Sequence, residues 1–207
     1  DFTQWSDVDG DGYGDNPGGT TPDACYGDVG NSTKGNRYGC IDSDGDGWDD
    51  TIDELPMLKH QWLDQDGDGY GDNATGPQPD ACPGEPGTST VDRYGCIDSD
   101  GDGISDENDA FPDDATRSSD IDGDGYDDLE DACMFVNGTS SIDRLGCNDS
   151  DGDGYSDGDG TWSSADGADA FPDEATQHAD QDSDGFGDNA SGFQADDCPT
   201  TPGTSFR

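Results

Sequence analysis

Seven times this 207-residue chain carries Asp-x-Asp-x-Asp-Gly, beginning at Asp7, Asp42, Asp64, Asp98, Asp120, Asp149 and Asp180. Three carboxylates at alternate residues, followed by a turn-permitting glycine, can curl around a hard cation. Calcium takes about six to eight oxygen ligands, and loops with acids at positions 1, 3 and 5 and glycine at 6 supply them. Magnesium fits less well, because it keeps its waters and demands a stricter octahedron. One such loop could be chance; seven at regular intervals indicate a chain built around an ion.

Counted from the first aspartate of each loop, positions 1, 3 and 5 are Asp7, Asp9 and Asp11; Asp42, Asp44 and Asp46; Asp64, Asp66 and Asp68; Asp98, Asp100 and Asp102; Asp120, Asp122 and Asp124; Asp149, Asp151 and Asp153; and Asp180, Asp182 and Asp184. Position 7, which can give a backbone carbonyl, is Tyr13, Trp48, Tyr70, Ile104, Tyr126, Tyr155 or Phe186. Position 9 is Asp15, Asp50, Asp72, Asp106, Asp128, Asp157 or Asp188. Position 12 is Asp23, Asp53, Asp80, Asp109, Asp131, Asp169 or Asp196, several of them delayed by extra residues. These acids are 35 of the chain's 52, so most of the negative charge has a ligand role assigned to it. Clustered carboxylates repel and raise one another's pKa when empty. A bound cation reverses this, and its binding becomes folding energy.

The elements that must position these loops are few. Net charge is −45 and apolar residues make up only 27%, too little to offset chain entropy by burial. Gly and Pro interrupt every short apolar run, so the fold class expected is irregular, with little regular secondary structure. The best helical candidate is residues 57–63. Seven cysteines supply a second means of stabilisation. Cys25 with Cys40, Cys82 with Cys96 and Cys133 with Cys147 lie 15, 14 and 14 residues apart and read as disulfides. Each would contribute roughly 3 kcal/mol in the chain-entropy model. Repeat spacing predicts a partner for Cys198 just past Arg207, the alternative being a free thiol. Neither Cys-x-x-Cys nor paired His occurs, which argues against zinc. Disulfides imply an oxidising, extracellular or cell-surface setting.

Two kinds of loop alternate. The first, at Asp7, Asp64, Asp120 and Asp180, leads into a cysteine. The second, at Asp42, Asp98 and Asp149, starts two residues after one and leads into an apolar-Pro turn such as Phe111-Pro112. The expected organisation is the end of a preceding repeat at 1–6, supra-repeats at 7–63, 64–119 and 120–179, and a partial fourth at 180–207. Insertions fall only between positions 9 and 12: five residues in the loops at Asp7, Asp64 and Asp180, nine in the loop at Asp149.

An EF-hand needs a helix on each side of its loop, and none is expected here. Asp120 to Cys133 instead reads Asp-x-Asp-x-Asp-Gly-x-x-Asp-x-x-Asp-x-Cys without a gap, and Asp42 to Asp53 and Asp98 to Asp109 match the form lacking the cysteine. In this the chain resembles thrombospondin type 3 repeats. The resemblance implies an elongated, calcium-stapled, disulfide-linked tandem array, calcium at the matching aspartates, at least one ion per loop, and disulfides between successive repeats. The insertions depart from that pattern, ahead of Asp23, Asp80, Asp169 and Asp196.

Strong negative charge excludes nucleic acid and anionic membrane surfaces as partners, and no membrane-inserting segment is expected. Nothing resembles a nucleophile-base pair, and seven equal carboxylate clusters argue for ligation rather than one active site, so no enzyme is expected. Asn31, Asn73, Asn137 and Asn189 head Asn-x-Ser/Thr sequons that could carry glycans, with Asn148 a poorer candidate beside Asp149. Arg37, Arg93 and Arg144, each three residues before a second cysteine or its equivalent, read as structural ion pairs. Trp5, Trp48, Trp62 and Trp162 read as anchors packed over the loops. The function expected is a calcium-rigidified segment of an extracellular fibre, stalk or filament, glycosylated and able to assemble head-to-tail with copies of itself. The alternatives are an adhesin segment, a linker in a secreted hydrolase and a calcium buffer.

Overall fold

The structure, a computed structural model, describes residues 3–204. Asp1, Phe2 and residues 205–207, at the outer ends of the first and last expected segments, lie outside the described residues. Two units divide the chain, Asp1–Thr116 and Arg117–Arg207, with four of the acidic loops in the first and three in the second. Among the described residues there is no helix and no extended strand, only four isolated bridges: Gly14 with Pro22, Asp23 with Tyr38, Asp157 with Asp169 and Gly187 with Ala195. No helix of the described residues is long and apolar enough to cross a membrane.

The helical candidate at 57–63 is overturned. The Leu58 N–H donates to Leu55 O and the Gln61 N–H to Leu58 O, two short turns in succession. His60 then takes φ +82°, a left-handed conformation that no α-helix tolerates, and ends the run.

Two backbone hydrogen bonds recur in all seven loops and replace regular secondary structure. The position 9 N–H donates to the carbonyl preceding position 1, as Asp128 does to Ser119, at 2.7–2.9 Å. The position 12 N–H donates to the position 8 carbonyl, as Asp131 does to Asp127, at 2.8–3.0 Å. The second bond forms whether or not residues are inserted: Asp80 reaches Gly71 across five extra residues, and Asp169 reaches Ser156 across nine. An insertion therefore leaves the loop and comes back to the same place.

What is buried is mostly polar. The only buried hydrophobic residues among those described are Cys40, Cys96, Cys147, Ala168 and Ala195, whereas Ser32, Ser89 and Ser140 are fully buried. Each of these serines donates to a nearby arginine carbonyl (Arg37, Arg93 or Arg144) and accepts the N–H of the second cysteine. Disulfides join Cys25 to Cys40, Cys82 to Cys96 and Cys133 to Cys147, and Cys198 is exposed. Each disulfide loop also grips the next acidic loop. The N–H groups of Thr33 and Lys34 donate to Gly47 O, those of Thr90 and Val91 to Gly103 O, and those of Ser141 and Ile142 to Gly154 O.

A candidate metal centre repeated along the chain

Each loop is shaped by hydrogen bonds from its own backbone to its own carboxylates. The position 6 glycine N–H donates to Oδ2 of position 1 in all seven, at 2.9–3.2 Å. In six loops the position 4 N–H donates to Oδ1 of the same aspartate. The position 7 N–H donates to Oδ1 of position 5 at 2.8–3.0 Å. This curl needs left-handed backbone twice, at position 6 and also at position 4, where Gly123 has φ +77°. Ser183 replaces that glycine in the last loop and still adopts φ +61°. Substituting Ser183→Gly should therefore raise stability by about 0.5–1 kcal/mol, read as an increase in thermal midpoint; no change or a loss would contradict it.

The carboxylates converge. In the loops at Asp7, Asp42, Asp64, Asp98 and Asp120, one oxygen from each of positions 1, 3 and 5 lies within 4.8 Å of the others. Position 12 is buried in six of the seven loops, and its Oδ1 accepts the N–H two residues on at 2.6–2.8 Å. Burial, then Asp11, Asp9 and Asp15, push the Asp23 carboxyl up against the bond from Cys25. Burial, then Asp153, Asp151 and Asp157, push Asp169 up to about 6.

Several of these oxygens have no hydrogen-bond partner although they are buried. At position 3 the orphan occurs in every loop: Asp9, Asp44, Asp66, Asp100, Asp122, Asp151 and Asp182. At position 12 it occurs on Asp23, Asp80, Asp169 and Asp196, the four acids that insertions separate from their loops. A buried carboxylate oxygen without a partner costs folding energy, and its repeated occurrence calls for a ligand. A hard cation with oxygen ligands suits this donor set.

The remaining expected ligands play mixed parts. Position 9 carboxylates accept the N–H of position 2 and nearby serine hydroxyls, as Asp50 and Asp106 do with Ser43 and Ser99. Asp72 and Asp188 each keep one orphan oxygen. Position 7 side chains pack on neighbouring rings, Tyr13 on Tyr38, Trp48 on Trp62, Tyr70 on Tyr94 and Tyr155 on His178, so any ligand from this residue is its main chain. In the cysteine-linked loops Oδ2 of position 5 accepts the N–H of a distant glycine: Gly30 to Asp11, Gly87 to Asp68, Gly138 to Asp124 and Gly203 to Asp184.

The arginines form ion pairs, Arg37 with Asp49 at 2.6 Å, Arg93 with Glu107 and Arg144 with Asp159 at 2.8 Å. Asp49 is fully buried; burial pushes its carboxyl up, yet Arg37 and Thr51 hold it below the usual range. Trp48 stacks on Trp62 beneath the Lys34 ammonium, and Arg144 lies over Trp162, whereas Trp5 is exposed. Of the sequon asparagines, Asn31 and Asn137 are exposed. Asn189 is exposed as well, and three of the amides are employed: that of Asn73 donates to His60 O at 2.5 Å, that of Asn189 to Thr176 O at 2.8 Å and that of Asn137 to Asp122 O at 3.2 Å.

Besides Asp23 and Asp169, the carboxyls of Asp44, Asp53, Asp72, Asp80, Asp100, Asp122, Asp151 and Asp182 are raised, first by burial and then by neighbouring carboxylates. A group that holds its proton more tightly folded than unfolded favours the fold at low pH. Ion-free protein should thus lose stability as pH rises from about 4 to about 6. The depressed groups, Asp49, Asp92, Asp127, Asp143 and Asp159, act in the opposite sense but only below about pH 4. Melting in chelator across pH 3–7 should show a maximum near pH 4; a midpoint that climbs steadily to pH 7 would exclude this account.

No protein-family model matches the chain, and no curated protein matches it.

Proposed function

We propose that the chain is a calcium-binding structural array, a thrombospondin type 3-like segment of an extracellular fibre, stalk or filament. The observation that carries this reading is the orphan carboxylate oxygen at position 3 of all seven loops, joined by orphans on position 12 wherever an insertion intervenes. At least one calcium ion per loop is held by positions 1, 3, 5 and 12, with the position 7 carbonyl and position 9 completing the shell. Seven near-identical sites in fixed register suit a scaffold better than a sensor, and the recurring hydrogen bonds support supra-repeats at 7–63, 64–119 and 120–179. Three disulfides fit an oxidising compartment. Extracellular calcium modules bind at about 10⁻⁴ to 10⁻³ M, so the sites are filled in ordinary calcium-bearing surroundings.

Small-angle scattering tests the reading. With millimolar calcium the profile should be that of a stiff, extended particle, and chelator should convert it to that of an expanded flexible chain. A profile indifferent to calcium would end the proposal.

A further inference from the structure

The three loops with five-residue insertions share a second fingerprint, outside the acids. A glutamine stands three residues before position 1 (Gln4, Gln61, Gln177), an asparagine at position 10 (Asn16, Asn73, Asn189) and glycine at positions 8 and 13. The other four loops lack the pair: their corresponding residues are Gly39 and Thr51, Gly95 and Glu107, Arg117 and Leu129, and Gly146 and Gly158. The glutamine lies inside the insertion. Gln61 and Gln177 are each 1% exposed, the largest fully buried side chains among the described residues. Oε1 of Gln177 accepts the Asn189 N–H at 2.9 Å, and its Nε2 donates to Asn189 O at 3.1 Å and Phe193 O at 3.0 Å. Gln61 repeats this with Asn73 N at 3.0 Å and with the carbonyls of Asn73 and Pro77 at 3.4 Å. The asparagine reciprocates by donating to the carbonyl of the residue before the glutamine. A Cβ at Gly71 or Gly76 would run into the Gln61 carboxamide, which explains both glycines.

We propose that Gln61 and Gln177 are positioning residues for the ion sites, each clasping its insertion so that position 12 returns to the cage. This rests on the calcium reading above. Gln4 accepts the Asn16 N–H at 3.2 Å, but its Nε2 is buried without a partner. In the loop at Asp120 a tight turn delivers Asp131, since the Glu130 and Asp131 N–H groups both donate to Asp127 O. Five extra residues remove that turn, and the single bond from Asp80 N–H to Gly71 O would leave a floppy tether. The glutamine replaces the missing turn: it bonds both the outgoing and the returning arm of the insertion and so sets where Asp80 lands. Asp80 is buried with one oxygen orphaned, so a shift of its position acts on ion affinity directly.

The test uses the whole chain, isotope-labelled, titrated with calcium while the amide signals of Gly69 and Gly125 are followed by NMR. These N–H groups bond the position 1 carboxylates of the clasped loop at Asp64 and the unclasped loop at Asp120. In Gln61→Ala the calcium midpoint at Gly69 should rise about tenfold, the scale of losing a residue that supports a metal ligand, and that at Gly125 should stay. Adding a deletion of residues 75–79 restores the plain spacing between Asp72 and Asp80, and should bring the Gly69 midpoint back to within about threefold of the parent, because a short loop needs no clasp. An unchanged Gly69 midpoint in Gln61→Ala, an equal shift at Gly125, or no rescue by the deletion overturns the proposal. If calcium moves neither glycine in the parent chain, the calcium reading itself falls and the clasp falls with it, an outcome distinct from the other three.

Discussion

Replacing Asp122 with alanine should have opposite effects with and without calcium. Both oxygens of Asp122 are buried without a partner, and its carboxyl is pushed up by burial, then by Asp124, Asp131 and Asp120. On the proposed calcium reading those oxygens are ligands at the centre of the loop. Their loss should weaken calcium at this loop by more than the about 10–100-fold that a merely supporting residue costs. Calorimetric titration would then show one loop's equivalent of ion missing from the high-affinity phase, and the midpoint of melting in calcium would drop. In chelator the same substitution relieves repulsion in the cluster and returns a stranded carboxylate to none, so the melting midpoint should rise. A variant less stable in both conditions would mean that Asp122 serves the fold rather than an ion.

Converting Cys82 and Cys96 together to alanine should be the most damaging change that leaves every acid in place. A small disulfide-linked segment loses about 2–5 kcal/mol when its bridge is removed. Here the bridged loop also touches two acidic loops: Gly87 donates to Asp68 Oδ2 at 2.9 Å, and Thr90 and Val91 donate to Gly103 O at 2.9 Å. Calcium affinity should therefore fall at the loops starting at Asp64 and Asp98 together, while the loops at Asp120 and Asp149 keep theirs. Site-resolved titration by NMR reads this directly; a uniform loss along the chain, or none, would refute it.

Much of the site was legible because its chemistry is local. Three acids at alternate residues cannot help converging once a glycine turns the chain, and the cysteine spacing marks the three disulfides. The arginines were legible too, since few cations stand among so many carboxylates. What escaped depends on pairing across distance. Positions 8 and 12 meet by a backbone bond that carries no side-chain signature, so the spacing marks Asp169 as position 12 but not the contact that brings it back across nine extra residues. Gln61 falls inside the helical candidate at 57–63, and nothing local marks it as different. Its partner Asn73 lies 12 residues on, and only the recurrence of both in the loops at Asp7 and Asp180 would have exposed the link. The position 4 glycine was visible in six of seven motifs, yet only the +77° to +84° torsions show that the curl demands it.

An interior of serine, aspartate and glutamine has a thermodynamic consequence. The heat capacity of unfolding grows with exposed apolar surface and is lowered by exposed polar surface. With only three cysteines and two alanines as buried hydrophobic residues among those described, opening this chain uncovers little that water avoids. Its stability curve should be flat with temperature, cold should weaken it little, and the opened chain, self-repelling and without sticky surface, should close again without aggregating.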